Sequence, residues 1–124
     1  FTSWKKDMDI VNAGLDIMTL TSFNEGTPVS LIEAQASCLP IVTTNVGGIR
    51  DVVYEGKTAL ISEDNDLEDF SSKLLYCIQN LPLRKKLALA GYEYVKDKFG
   101  RRRLVSDIEE LYFEEILKSN NLSK

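Results

Sequence analysis

Residues 15–44, LDIMTLTSFNEGTPVSLIEAQASCLPIVTT, decide the fold. Leu15 to Leu20 is a short, mostly apolar run, as a strand buried on both faces requires. The polar stretch Thr21 to Glu25 ends it. Thr27 is placed to cap a helix, and Pro28 suits the first helical position, where its missing N–H is no loss. Val29, Ile32 and Ala36 then recur at three- and four-residue spacing. Pro40 closes that segment, and Ile41-Val42-Thr43-Thr44 is β-branched throughout, which reads as a second buried strand. Strand, helix and strand with short connections make a βαβ unit, parallel and with a right-handed crossover.

Upstream, Asp7 to Ala13 fits a short helix ended by Gly14. The chain opens abruptly at Phe1, without an initiator methionine, and we expect a fragment of a larger protein. Downstream, Gly47-Gly48 makes a turn, Ile49 to Tyr54 a short helix, and Thr58-Ala59-Leu60-Ile61 a third strand. An acidic loop, Ser62 to Asp66, follows, with Asn65 or Asp66 suited to cap the next helix. That helix carries Leu67, Phe70, Leu74, Ile78 and Leu81 on one stripe. Pro82 interrupts; a second helix turns Leu87, Gly91, Tyr94 and Val95 inward. Phe99-Gly100 separates it from a last helix with Val105, Ile108, Tyr112 and Ile116 aligned. The fold class is α/β, a Rossmann-like parallel sheet flanked by helices, with one domain over residues 1–117 and a frayed tail over 118–124.

Composition narrows the function. The chain has 124 residues, 44% of them hydrophobic and 27% charged, enough for one packed core. A net charge of −4 argues against general nucleic-acid or anionic-membrane binding. There is no histidine, so histidine-based catalysis and His-containing metal sites are excluded. Cys38 and Cys77 cannot form a structural zinc site alone, and both read as small core residues in a reducing cytosol.

Ligands of open α/β sheets bind beyond the carboxyl ends of the strands, which points to the loop after Leu20. Glu25 stands in that loop and Glu33 about one and a half turns into the helix that follows. Gly26 lets backbone approach a ligand closely. The free amides of the first helical turn and the helix dipole favour an anion such as a phosphate. A carboxylate is a strong acceptor for sugar hydroxyls. Gly26, Thr27, Pro28, Val29 and Ser30 with Glu25 and Glu33 thus suffice for a composite site: amides for a diphosphate, and two carboxylates for hydroxyl-bearing groups on either side. The bland alternative is a dipole-complementary Glu25 and a solvated Glu33. Gly47-Gly48 is either a border of the diphosphate or a tight turn after a strand.

The ordered series of motifs resembles the C-terminal, donor-binding part of glycosyltransferase family 4 enzymes of GT-B fold. Leu15-Asp16-Ile17 is similar to the strand before the loop, and Glu25 with Glu33 matches E-x7-E. Leu39 to Ile49 is similar to "G-x-P-V-V-A-T-x-V-G-G", and Asp51-Val52-Val53, Gly56 and Ala59-Leu60-Ile61 to "E-V-V-x-x-G-x-x-G-L-L-V". Leu83 through Phe99 is similar to the late helix ending in "F-S". The resemblance implies a retaining transfer of sugar from a nucleotide-diphosphate-sugar, with no metal and no cofactor beyond that donor. It implies that Glu25 touches the donor sugar, that Glu33 holds the ribose, and that amides just after Glu25 meet sugar and diphosphate. The chain departs from the family at Pro28, which lacks an N–H, and at Cys38, where a glycine usually ends the helix. It has no assignable basic pair and no acceptor-binding N-terminal domain, so the chain alone is expected to be inactive on a glycan or lipid acceptor. The place implied is the cytoplasm, at most peripheral to the inner face of a membrane.

Other readings remain beside that one. A sugar-nucleotide epimerase of the same fold would need histidines that are absent. A non-catalytic nucleotide-sugar- or protein-binding α/β module becomes the better account if the native gene begins near Phe1. Arg101-Arg102-Arg103 reads as a solvated run rather than a phosphate site, and Trp4 and Tyr92 as packing aromatics. Tyr112, Phe113, Ile116 and Leu117 offer an apolar patch through which weak self-association is expected.

Overall fold

The computed structural model describes residues 5–121, with side chains through Lys118. Trp4 and residues 122–124 lie outside that description. Six helices and three strands occur in the described residues: α1 (Met8–Ala13), β1 (Met18–Leu20), α2 (Val29–Ala36), β2 (Ile41–Thr44), α3 (Ile49–Val52), β3 (Ala59–Ser62), α4 (Leu67–Gln79), α5 (Leu81–Lys98) and α6 (Arg101–Asn121). The sheet is parallel with order β1-β2-β3. Met18 pairs with Ile41, and Ile41 with Ala59. The central strand is the most buried: Ile41, Val42 and Thr43 have no exposed surface. Of its two threonines, Thr43 donates its hydroxyl to the Leu20 carbonyl at 2.8 Å, whereas the buried Thr44 hydroxyl has no partner among the described residues. Leu31, Ala34, Val46, Ile49, Val52 and Ile61 close around this strand as the core.

The first strand is shorter than its apolar run. The Leu15 amide continues the α1 turn by donating to Asn12 O at 3.1 Å, and pairing begins only where Met18 N donates to Pro40 O. The cap of α2 also moves by one residue. Pro28, not Thr27, precedes the helix; its ψ of 88° keeps it out of the helical region, and no side chain caps the first turn. The α4 stripe is rotated from the expected one. Leu67, Ile78 and Leu81 are exposed, while Phe70, Lys73, Leu74 and Cys77 face inward. Lys73 can do so because its ammonium donates to Ile61 O at 2.7 Å and to Asp69 at 2.6 Å. Asp66 caps α4, accepting from Asp69 N at 2.9 Å. On α5, Leu87, Gly91 and Val95 are buried and Tyr94 half-buried, as the spacing predicts. The last helix runs to Asn121, past Lys118, where the sequence reading begins the tail.

The two cysteines differ. Cys77 is fully buried, and burial pushes its thiol pKa up, with Arg84 pulling partly back. Cys38 is exposed rather than a core residue. It occupies the left-handed position that ends α2, with φ 55°. Leu39 N donates to Ala34 O and Cys38 N to Gln35 O, both at 3.0 Å, the reciprocal pattern of a glycine-type helix end. A side chain in that conformation costs about 1 kcal/mol. Cys38→Gly is therefore expected to raise stability by about that amount, read as a higher urea midpoint at unchanged slope.

Candidate functional site at the carboxyl edge of the sheet

The loop after β1 and the turn after β2 are built against each other. The Gly48 amide donates to the Glu25 carbonyl at 3.0 Å. A Cβ at Gly47 would stand 1.9 Å from Glu25 O, and one at Gly48 would stand 2.0 Å from Gly26 O. Gly47 also has φ +50°. Both glycines are thus fixed by backbone-to-backbone contact, and the loop that presents Glu25 rests on them. This decides their structural role: the turn is the seat of the Glu25–Gly26 loop, and the Gly48 N–H is engaged there. Gly26 is different, since a Cβ there would meet nothing within 4 Å. The fold does not need a glycine at that position, and open space lies beside the backbone.

From this seat the chain enters α2. Its first turn carries no side-chain cap, so amides at its N-terminus remain available beside the positive end of the dipole. Pro28 contributes no N–H there. Glu25 is half-buried and Glu33 exposed. Neither carboxylate makes a hydrogen bond or ion pair among the described residues. At Glu33 only the backbone carbonyl is engaged by Ser37, accepting from both its hydroxyl and its amide. The nearby cation is committed elsewhere: Arg50 donates to Asn45 at 2.9 Å and to Glu55 at 3.0 Å, and lies 3.7 Å from Glu63.

A cavity of about 260 Å³ opens at the same edge, and the sequence reading missed it. It is lined by Thr21, Ser22, Phe23, Thr44, Asp64 to Leu67 and Phe70. Neither glutamate lines it. The signal was available, because the loops after β1 and β3 both leave the carboxyl end of one parallel sheet. Phe23 is 93% exposed and Leu67 77% exposed, an unusual pair of large apolar side chains at one rim. Tyr92 lies on α5, away from this edge, and lines a separate cavity with Ile32, Val95 and Phe99. Arg101 to Arg103 are exposed, with Arg103 paired to Asp107 at 2.6 Å. No three cysteines or carboxylates gather as a metal site among the described residues. No described helix is long and apolar enough to cross a membrane.

An uncapped helix and a glycine-seated loop that carries Glu25 stand together at one edge of this parallel α/β sheet. Residues 1–94 match the family described as Glycosyl transferases group 1, and the chain belongs to that family. The "Capsular polysaccharide biosynthesis glycosyltransferase CapM" of Staphylococcus aureus is 31% identical over 98 residues, which is 79% of this chain and 26% of the relative. Among solved structures, the C-terminal domain of a group 1 glycosyl transferase, LpcC, from Francisella tularensis superposes with a TM-score of 0.72 and 25% identity over 82% of this chain and 52% of that one. Anabaena Alr3699/HepE, solved in complex with UDP, gives a TM-score of 0.82 at 18% identity over 89% of this chain and 30% of that one. These neighbours have the GT-B architecture, and the α/β arrangement described above is that of a GT-B C-terminal domain. The chain spans about a quarter of the length of the curated relatives it matches.

Proposed function

We propose that this chain is the donor-binding part of a retaining, hexosyltransferase-like enzyme of family 4. It would take a sugar from a nucleotide-diphosphate-sugar for a glycan, lipid or other acceptor. The observation that carries the reading is the Glu25–Gly26 loop, seated on Gly47-Gly48 and leading straight into an uncapped helix, with open space at Gly26. Amides of Gly26, Thr27, Val29 and Ser30 meet the diphosphate, with Pro28 shaping the turn without donating. The negative charge that grows on the diphosphate as the sugar leaves is stabilised by those amides and by the α2 dipole. Glu25 accepts hydrogen bonds from sugar hydroxyls and so fixes the face of the ring presented for transfer. Glu33, about one and a half turns into α2, accepts from the ribose hydroxyls. Gly47 and Gly48 act through the loop they support. The donor is a substrate, and no further cofactor or metal enters. The acceptor, an N-terminal domain and the basic groups that complete the diphosphate site belong to the rest of a longer, cytoplasmic protein, and the 124 residues alone do not turn over.

Titration of the 15N-labelled chain with UDP tests this reading. Backbone amide shifts confined to Gly26–Glu33 and to the Gly47–Gly48 turn are expected. Shifts confined to the α5 and α6 surface would contradict it.

A further inference from the structure

The α3 helix is four residues long, so its last carbonyls need partners from elsewhere. Side chains of two other helices supply them. Gln35 of α2 donates to Val52 O at 2.8 Å, and Lys98, the last residue of α5, donates to Asp51 O at 2.7 Å. An aromatic corner holds the Lys98 ammonium at that carbonyl. It donates to the Tyr94 hydroxyl at 2.8 Å and stands 5.3 Å from the Tyr94 ring and 5.6 Å from the Phe99 ring. Those two rings meet edge to face, with centroids 6.3 Å apart. Lys73, Lys96 and Lys118 each pair with a carboxylate; among the described residues Lys98 pairs with none.

Asp51 also connects to the other end of α3. Its amide donates to Gly48 O at 3.1 Å, and the Gly48 amide donates to Glu25 O at 3.0 Å. Ile49 and Val52 are fully buried and anchor α3 on its inner side. The bonds to Asp51 O and Val52 O fix its rotation about that anchor. The helix is thus a short rod with the Gly47–Gly48 turn at one end and Lys98 at the other. We propose that Lys98 is a positioning residue of the donor site: through Asp51 and Gly48 it sets where the Glu25–Gly26 loop stands. The role rests on the donor-binding reading of that loop. Lys98 acts through three hydrogen bonds in series, Lys98 to Asp51, Asp51 to Gly48 and Gly48 to Glu25. Loss of the first lets α3 rotate, which loosens the seat and spreads the amides that meet the diphosphate. Tyr94 is a poor substitute, since its hydroxyl lies 3.5 Å from Asp51 O, the outer limit of a hydrogen bond.

Amide hydrogen exchange and calorimetry with UDP, both on the full 124-residue chain, test this role. Lys98→Met keeps the aliphatic stem and removes the donor. The Gly48 amide should then exchange about fivefold faster and UDP should bind about threefold more weakly, with the β2 amides unchanged. Lys98→Arg restores an N–H donor and should return both values to within about twofold of the parent. Lys96→Met removes a neighbouring charge that pairs with Glu93 and should change neither. Unchanged Gly48 exchange in Lys98→Met, equal acceleration across β2, no recovery in Lys98→Arg, or an equal effect of Lys96→Met would each overturn the proposal. Faster Gly48 exchange with unchanged UDP affinity would overturn it too. A parent chain that does not bind UDP would instead strike the donor reading, and the exchange series alone would then decide whether Lys98 holds the turn.

Discussion

Gly48→Ala should destabilise the domain by about 3 kcal/mol, and Gly47→Ala by at least as much. The reason is specific to the pair of turns. The added methyl at Gly48 would lie 2.0 Å from the Gly26 carbonyl oxygen and 3.1 Å from its carbon, both backbone atoms that no rotamer change can move. Relief requires displacing the loop after β1, and with it the Gly48 N–H bond to Glu25. At Gly47 the methyl meets Glu25 O at 1.9 Å, and the left-handed φ adds about 1 kcal/mol of its own. Gly26→Ala is the internal comparison, since its methyl has nothing within 4 Å; its stability should change by no more than about 0.5 kcal/mol. Urea unfolding of the three variants measures this. Equal losses in all three would mean that the two turns are not in contact.

Gln35→Ala should cost about 3 kcal/mol. Gln35 has no exposed surface and sits where α2, α3 and α5 meet. Its Nε2 donates to Val52 O at 2.8 Å and to Leu31 O at 3.2 Å, tying the α3 end to α2. Gly91 of α5 leaves room for it, since a Cβ there would lie 3.0 Å from Gln35 Cγ. Alanine would leave a cavity and a Val52 carbonyl without its donor. Leucine would refill the volume and remove the unpartnered Oε1, but it would still strip the carbonyl, so its loss should be about half as large. Thermal unfolding of both variants checks the order. A Gln35→Leu variant more stable than the parent would show that shape alone, not the Val52 bond, holds the three helices.

The βαβ unit was legible because its signals are local. An apolar run, a proline near a helix start and a β-branched run each act within a few residues, and β2 falls on Ile41–Thr44 as its composition requires. Boundaries slipped where a neighbour decided them, as when the Leu15 amide remained with α1 and shortened β1. The α4 stripe was misread because Lys73 turns inward to reach the Ile61 carbonyl, a tertiary bond that hydrophobic spacing does not encode. Cys38 is the reverse case: the sequence showed a departure where a glycine usually ends the helix, and the structure shows the positive φ that makes glycine favourable there. At the site, the sequence supplied Glu25 and Glu33 but not their support. That Gly47 and Gly48 hold the loop is a contact between segments more than twenty residues apart, visible only once the strands are parallel and adjacent. Gln35 was missed for the same reason, since a glutamine in a helix reads as solvated until another helix covers it.

The division of labour between the two carboxylates tests the account most directly. Calorimetry with UDP and with UDP-glucose as probes, on the parent chain and on Glu25→Ala and Glu33→Ala, separates ribose from sugar. Glu33→Ala should weaken both ligands about tenfold or more, whereas Glu25→Ala should leave UDP unchanged and remove the extra affinity brought by the sugar. Affinities for both ligands that are the same in all three proteins would contradict the account.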